Sequence, residues 1–135
     1  MWFGIVTLFP EMFSVLEQGI TGRALKSNLI KVACFNPRDF TQNKHRNVDD
    51  APYGGGPGMV MMAEPLHLAL KAAKNATGQK ATVIHLSPQG KIFNQEAASE
   101  LQQKENLIFI ACEVTRTYQQ VLLKLNLKIC RSLQQ

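Results

Sequence analysis

The sequence predicts one α/β domain with a mostly parallel sheet and flanking helices. Two observations carry that reading. Apolar, β-branched runs at residues 2–8, 29–35, 81–86 and 107–111 alternate with stretches of helical periodicity. The chain has 135 residues, 45% of them hydrophobic and 19% charged, which suits a single soluble domain with a sizeable core. No internal repeat and no low-complexity segment interrupts the alternation.

The elements follow in order. Residues 2–8 read as a buried strand that ends at Pro10, which cannot donate to a sheet ladder. The run is too short and lacks the basic flank and cleavage site of a signal peptide. Met12, Phe13, Val15 and Leu16 repeat with helical spacing over 11–18, and Gly19 is the expected stop. Thr21 is a candidate N-cap for a short helix through Ser27. Residues 29–35 read as the second strand, and Asn36-Pro37-Arg38-Asp39 as a turn. A clear helix covers 63–76, with Pro65 in its first turn and Gly78 near its end. Residues 81–86 make a third strand, Asn94 caps a helix over about 95–103, and 107–111 make a fourth strand. Residues 116–130 are compatible with an amphipathic helix.

Several classes of chemistry are excluded. No apolar run approaches the roughly 18 residues of a membrane span. Cys34, Cys112 and Cys130 lack metal-ligand spacing, and their odd number argues against a disulfide framework and for a reducing cytosol. Cys34 reads as core. No Ser/His/Asp or Cys/His arrangement is suggested by spacing, and neither phosphate-loop nor dinucleotide fingerprint is present.

The net charge of +5 favours a polyanionic partner, and it is unevenly spread. Residues 1–111 hold 11 Lys+Arg and 9 Asp+Glu, a net of +2; residues 112–135 hold 4 Lys+Arg and one Glu, a net of +3.

Two segments stand out as sites. Tyr53, Gly54, Gly55, Gly56, Pro57, Gly58 and Met59 place four glycines in five positions, an entropically costly run. Pro52, Pro57 and the Tyr53 ring mark it as an ordered loop and not a linker. Upstream lie His45, Arg46, Asp49 and Asp50. Asp49 and Asp50 are adjacent on an extended chain, so they point to opposite faces and do not share one proton or one ion. One is expected to pin the loop, the other to pair with Arg46 or a partner. The second segment, Ser87-Pro88-Gln89-Gly90, follows a strand directly. It therefore lies outside a strand's carboxyl end, where open α/β sheets bind ligands; the same residues also make an ordinary turn. His85 sits beside it, whereas His67 reads as structural.

These pieces, with Phe9-Pro10-Glu11-Met12-Phe13, Asn36-Pro37-Arg38-Asp39-Phe40 and His45 through Met59, occur in the order and spacing of a known family. Residues 1–111 resemble the bacterial tRNA (guanine-N1)-methyltransferases, the TrmD family. The resemblance implies a SPOUT-like trefoil-knot fold, with the knot incomplete here. It implies methyl transfer from S-adenosylmethionine to N1 of the guanine 3′ of the anticodon, in a cytoplasmic homodimer. Leu86, Ser87, Pro88, Gln89 and Gly90 would form one wall of the cofactor pocket, with the Tyr53–Met59 loop nearby. Arg46, Asp49 and Asp50 would order that region or meet tRNA. No catalytic residue and no metal ligand is assigned.

Residues 112–135 depart from the family, which carries there the second wall of the pocket and, further on, its catalytic aspartate. The expected division is therefore a cofactor-binding domain over 1–111 and an aberrant basic tail over 112–135. Back-translated and read two nucleotides later, the tail permits family-like residues. That predicts a single-base slip near codon 112 and a chain inactive by itself. The alternative functions are a non-catalytic RNA-binding or dimerisation module, or a small-molecule binder.

Overall fold

The computed structural model describes residues 1–51, 59–78, 80–112 and 128–131, the side chains of 87–89 and 128–131 excepted. Along the chain run β1 (Trp2–Val6), a 3₁₀ helix (Pro10–Glu17), α1 (Gly19–Lys26), β2 (Lys31–Phe35), a second 3₁₀ helix (Pro37–Phe40), β3 (Asp49–Asp50) and β4 (Val60–Met61). Then come α2 (Ala63–Ala76), β5 (Thr82–Ile92), α3 (Gln95–Gln102), β6 (Asn106–Ile110) and β7 (Lys128–Arg131).

Five strands form one sheet in the order β2-β1-β6-β5-β7, and all four pairings are parallel. A parallel sheet must be covered on both faces, and the side-chain alternation supplies both. One face of the sheet (Val6, Val83, Ile108 and Ile110) packs on α2, which buries Leu66, Ala69, Leu70 and Ala73 at helical spacing. The other face carries Ile84 and Leu107, packed with Leu101 of α3 and with Phe3 and Phe109, whose rings stack at 6.3 Å. Asn94 caps α3 as expected, its Oδ1 accepting from the Ala97 N–H at 2.9 Å.

The N-terminal region differs from expectation. Residues 10–17 form a 3₁₀ helix with no buried residue, and α1 starts at Gly19 and not after Thr21. Gly19 adopts φ +59, so the glycine expected as a stop is the corner between two helices. Asn36 caps the second 3₁₀ helix, its Oδ1 accepting from the Arg38 N–H at 3.0 Å, where a simple turn was expected. Cys34 is exposed on edge strand β2 and His67 is exposed on α2, so neither is a core residue.

At the other edge, β5 does not stop at Leu86. It continues to Ile92, and residues 128–131 pair with it as β7. The last part of the helix expected over 116–130 is therefore strand at 128–130; the rest lies outside the described residues. Among the described residues no helix is long and apolar enough to cross a membrane.

Candidate functional site

The carboxyl ends of the parallel strands meet at one end of the sheet, and the fold brings there the irregular part of β5 and, through Val48 and Met61, the β3–β4 ladder that bounds the Gly-rich segment. The connection leaving β1 goes to β2 on one side, while that leaving β6 goes to β7 on the other. Such a reversal leaves a crevice beyond the strand ends. Thr7, 2% exposed, closes β1: its Oγ1 accepts from the Phe9 N–H at 3.2 Å.

β5 reaches this end with an irregularity. Leu86 and Lys91 both pair with Cys130 of β7, so residues 87–90 stand opposite no strand residue of their own. The pairing of β5 with β6 has already ended at His85. Ser87, Pro88, Gln89 and Gly90 therefore have no register partner in either ladder. Leu86, 41% exposed, adds an apolar surface beside them. This combination fits a ligand with a flat apolar part and polar edges.

The Gly-rich segment is fixed at its base. Asp49 and Asp50 pair antiparallel with Met61 and Val60, so β3 and β4 form a short ladder across the ends of the loop. Val48 and Met61, 0% and 5% exposed, lie in the same core cluster as Val6 and Ile110 at the strand ends. The Met62 N–H also donates to the Val48 carbonyl at 2.6 Å. Residues 52–58, which include Tyr53, Gly54, Gly55, Gly56, Pro57 and Gly58, lie outside the described residues; Met59 is exposed. Val48 was missed at the sequence level, although it is the one apolar residue between Asn43 and Asp50.

Asp49 is half-buried and Asp50 exposed, with side chains on opposite sides of the short strand. Asp50 Oδ1 accepts from the Ala51 N–H at 2.7 Å, which stiffens the entry to the loop. Arg46 is exposed at φ +50 and pairs with neither carboxylate among the described residues; its carbonyl accepts from the Arg38 guanidinium at 3.5 Å. Its charge remains available to solvent or a partner. Among the described residues no His, Cys, Asp and Glu group could hold a metal ion.

Burial pushes the Cys112 thiol up to about 12, so it stays protonated at neutral pH and is no nucleophile. His85, 2% exposed, is held below its ordinary imidazole value by the same desolvation. A neutral buried imidazole gains protons on unfolding as pH falls through the unfolded value, so its contribution is present above that value and lost below it. Acidification from pH ~7.5 to ~5.5 spans this window. The urea midpoint should fall more in the native protein than in His85→Phe, and equal falls would show that His85 is not the group responsible.

A family model described as tRNA (Guanine-1)-methyltransferase TrmD matches residues 1–126. A tRNA (guanine-N(1)-)-methyltransferase of Aeromonas hydrophila is 56% identical over 112 residues, covering 82% of this chain and 45% of the relative. The enzyme so named in Pseudoalteromonas atlantica is 59% identical over 111 residues, covering 82% and 42%. The crystal structure of the tRNA (m1G37) methyltransferase from Aquifex aeolicus superposes with a TM-score of 0.72 at 34% identity, over 82% of this chain and 50% of that one. The chain thus spans less than half the length of the curated relatives it matches.

Proposed function

We infer that this chain, which belongs to the tRNA (guanine-1)-methyltransferase TrmD family, supplies the cofactor-binding end of an S-adenosylmethionine-dependent tRNA (guanine-N1)-methyltransferase. The observation that carries this reading is the Ser87–Gly90 bulge, whose residues have no register partner in either ladder at the carboxyl end of a parallel sheet. Leu86 would pack on an apolar part of the cofactor, and the backbone of Ser87, Gln89 and Gly90 would hydrogen-bond its polar edges. S-adenosylmethionine, when bound, supplies the electrophilic methyl group. The loop at Tyr53–Met59, pinned by the β3–β4 ladder, would close over the same end.

Arg46 and the carboxylates Asp49 and Asp50 would then face tRNA: Arg46 toward a phosphate, one aspartate toward a base or the loop. A proton must leave guanine N1 during transfer, which needs a positioned base. His85 is neutral but enclosed, and no group among the described residues is assigned that role. The homodimer and the cytoplasmic location belong to this same reading, supported by the family and, for the location, by the odd number of cysteines.

A graft tests it. Residues 1–111 joined to the remaining part of the Aeromonas relative should transfer a methyl group to N1 of the guanine 3′ of the anticodon in a tRNA transcript. Leu86→Ala in that graft should lower kcat/KM by about tenfold or more, the ordinary worth of lost apolar contact. A folded graft without transfer overturns the reading. The 135-residue chain by itself is expected to be inactive in the same assay, because it spans less than half the length of the relatives that carry the activity in their names.

A further inference from the structure

The opposite end of the sheet carries charge that the cofactor reading does not use. Here the amino ends of β2, β1, β6 and β5 lie side by side: Trp2 is in register with Lys31 and Asn106, and Leu107 with Thr82. The backbone is already satisfied. Lys31 N–H donates to the Met1 carbonyl at 3.0 Å, Trp2 N–H to that of Glu105 at 2.8 Å, and Asn106 Nδ2 to that of Lys80 at 3.0 Å. What remains to meet solvent is the side chains, and Lys31, Lys80 and Lys104 are all exposed.

The surface between them is grooved. A depression of 470 Å³ lies between Lys31 and Lys104, floored by Trp2 and edged by Asn28 and Gln102. A second of 390 Å³ lies between Lys104 and Lys80. The two are neighbours that share residues 103–106 as lining, so together they form an interrupted furrow along four strand ends. At the usual strand separation this spans about 14 Å, a length suited to a run of phosphates and not to one.

The charge balance agrees. The last turns of α1, α2 and α3 and the strand starts that follow them hold Arg23, Lys26, Lys31, Lys74, Lys80 and Lys104. They face only two carboxylates, Glu100 and Glu105. The rest of residues 1–111 has five cations against seven carboxylates, so the positive excess of the body lies entirely at this end. Lys26 and Lys74 also oppose helix dipoles at their C-termini. Lys31 and Lys80 begin or precede strands and serve no such end.

We propose that this furrow is a second docking surface, which follows the phosphodiester backbone of RNA through Lys31, Lys104 and Lys80, at the end of the sheet opposite the cofactor site. Contacts of this kind, from cations and amide donors to phosphates, position the polymer without reading its sequence. The proposal rests on the tRNA reading for the identity of the polymer.

Binding of the 135-residue chain to a tRNA transcript and to an unrelated single-stranded RNA, each across a salt series, tests it. Lys31→Gln/Lys104→Gln should weaken both complexes and reduce the slope of log K against log salt by about 1.4, the worth of two single-strand phosphate contacts. Lys80→Gln alone should reduce it by about 0.7. Lys71→Gln removes the same single charge from the exposed side of α2 and should leave the slope unchanged. Equal slopes for Lys80→Gln and Lys71→Gln, or no change in the double variant, overturn the docking surface while native binding keeps the tRNA reading intact. Absence of RNA binding by the native chain overturns both. Unchanged thermal midpoints in all variants tie the effect to contact and not to folding.

Discussion

Ile108→Ala is expected to lower the unfolding free energy by about 2–5 kcal/mol, the range for removing a fully buried aliphatic side chain and leaving a cavity. Ile108 is 0% exposed and sits in β6, in register with Gly4 on one side and Val83 on the other. Gly4 has no side chain to move into the gap. The Trp2 ring already lies over Gly4, at 2.6 Å from where a Cβ would stand, with Ile108 Cγ1 at 3.3 Å from the same point. The cavity would therefore open between Trp2, Val83 and α2 and collapse poorly. The loss is a large share of a total stability of ~5–15 kcal/mol. Urea denaturation should show a lower midpoint with an unchanged m-value. A loss under about 1 kcal/mol would mean that the site relaxes around the truncation.

Gly22→Val is expected to be the second large effect. Gly22 is buried in α1, and its N–H donates to the Gln18 carbonyl at 3.0 Å. A Cβ at this position would run into the backbone carbonyl of Glu17, the last residue of the preceding 3₁₀ helix. A rotamer change cannot relieve a clash with backbone, so the two helices must separate. Forced overpacking of this kind costs about 1–3 kcal/mol. Gly19→Ala is the useful companion: open space surrounds that position, but φ +59 disfavours a side chain there, so its cost comes from backbone strain alone. Thermal unfolding should rank Gly22→Val as the more destabilising. The reverse order would show that the junction yields more easily than the Gly19 backbone.

Where the signal was local, the chain itself was informative. The helix expected over 63–76 is present as α2, and helical spacing places its buried Leu66, Ala69, Leu70 and Ala73 on one line. Asn94 predicted its cap, because an N-cap bond closes over three residues. The segment after Phe9 was misjudged for an equally local reason. Over eight residues a three-residue and a 3.6-residue repeat put the same apolar positions near one face, and Pro10 is compatible with either.

The β5 bulge is of another kind. Ser87-Pro88-Gln89-Gly90 has the composition of a turn, and nothing within it indicates that the strand resumes. It resumes because Cys130 and Arg131 pair with Lys91 and Ile92, some forty residues away along the chain. The same holds for the base of the Gly-rich loop. Val48 and Met61 flank it from either side and meet only in the shared core beneath it.

By itself the sequence determined the α/β class, the helix and strand alternation, the family and the two segments that carry its signature, since these rest on neighbour-to-neighbour periodicity and residue order. Tertiary structure alone decided that residues 86–91 carry an irregularity in one all-parallel sheet, that the flanks of the Gly-rich segment pair as a ladder, that residues 128–131 complete the sheet edge, and that the positive excess collects at the amino end. Each depends on pairing between strands remote in the chain, and hydrophobic periodicity reports which face is buried but not which strand lies beside it.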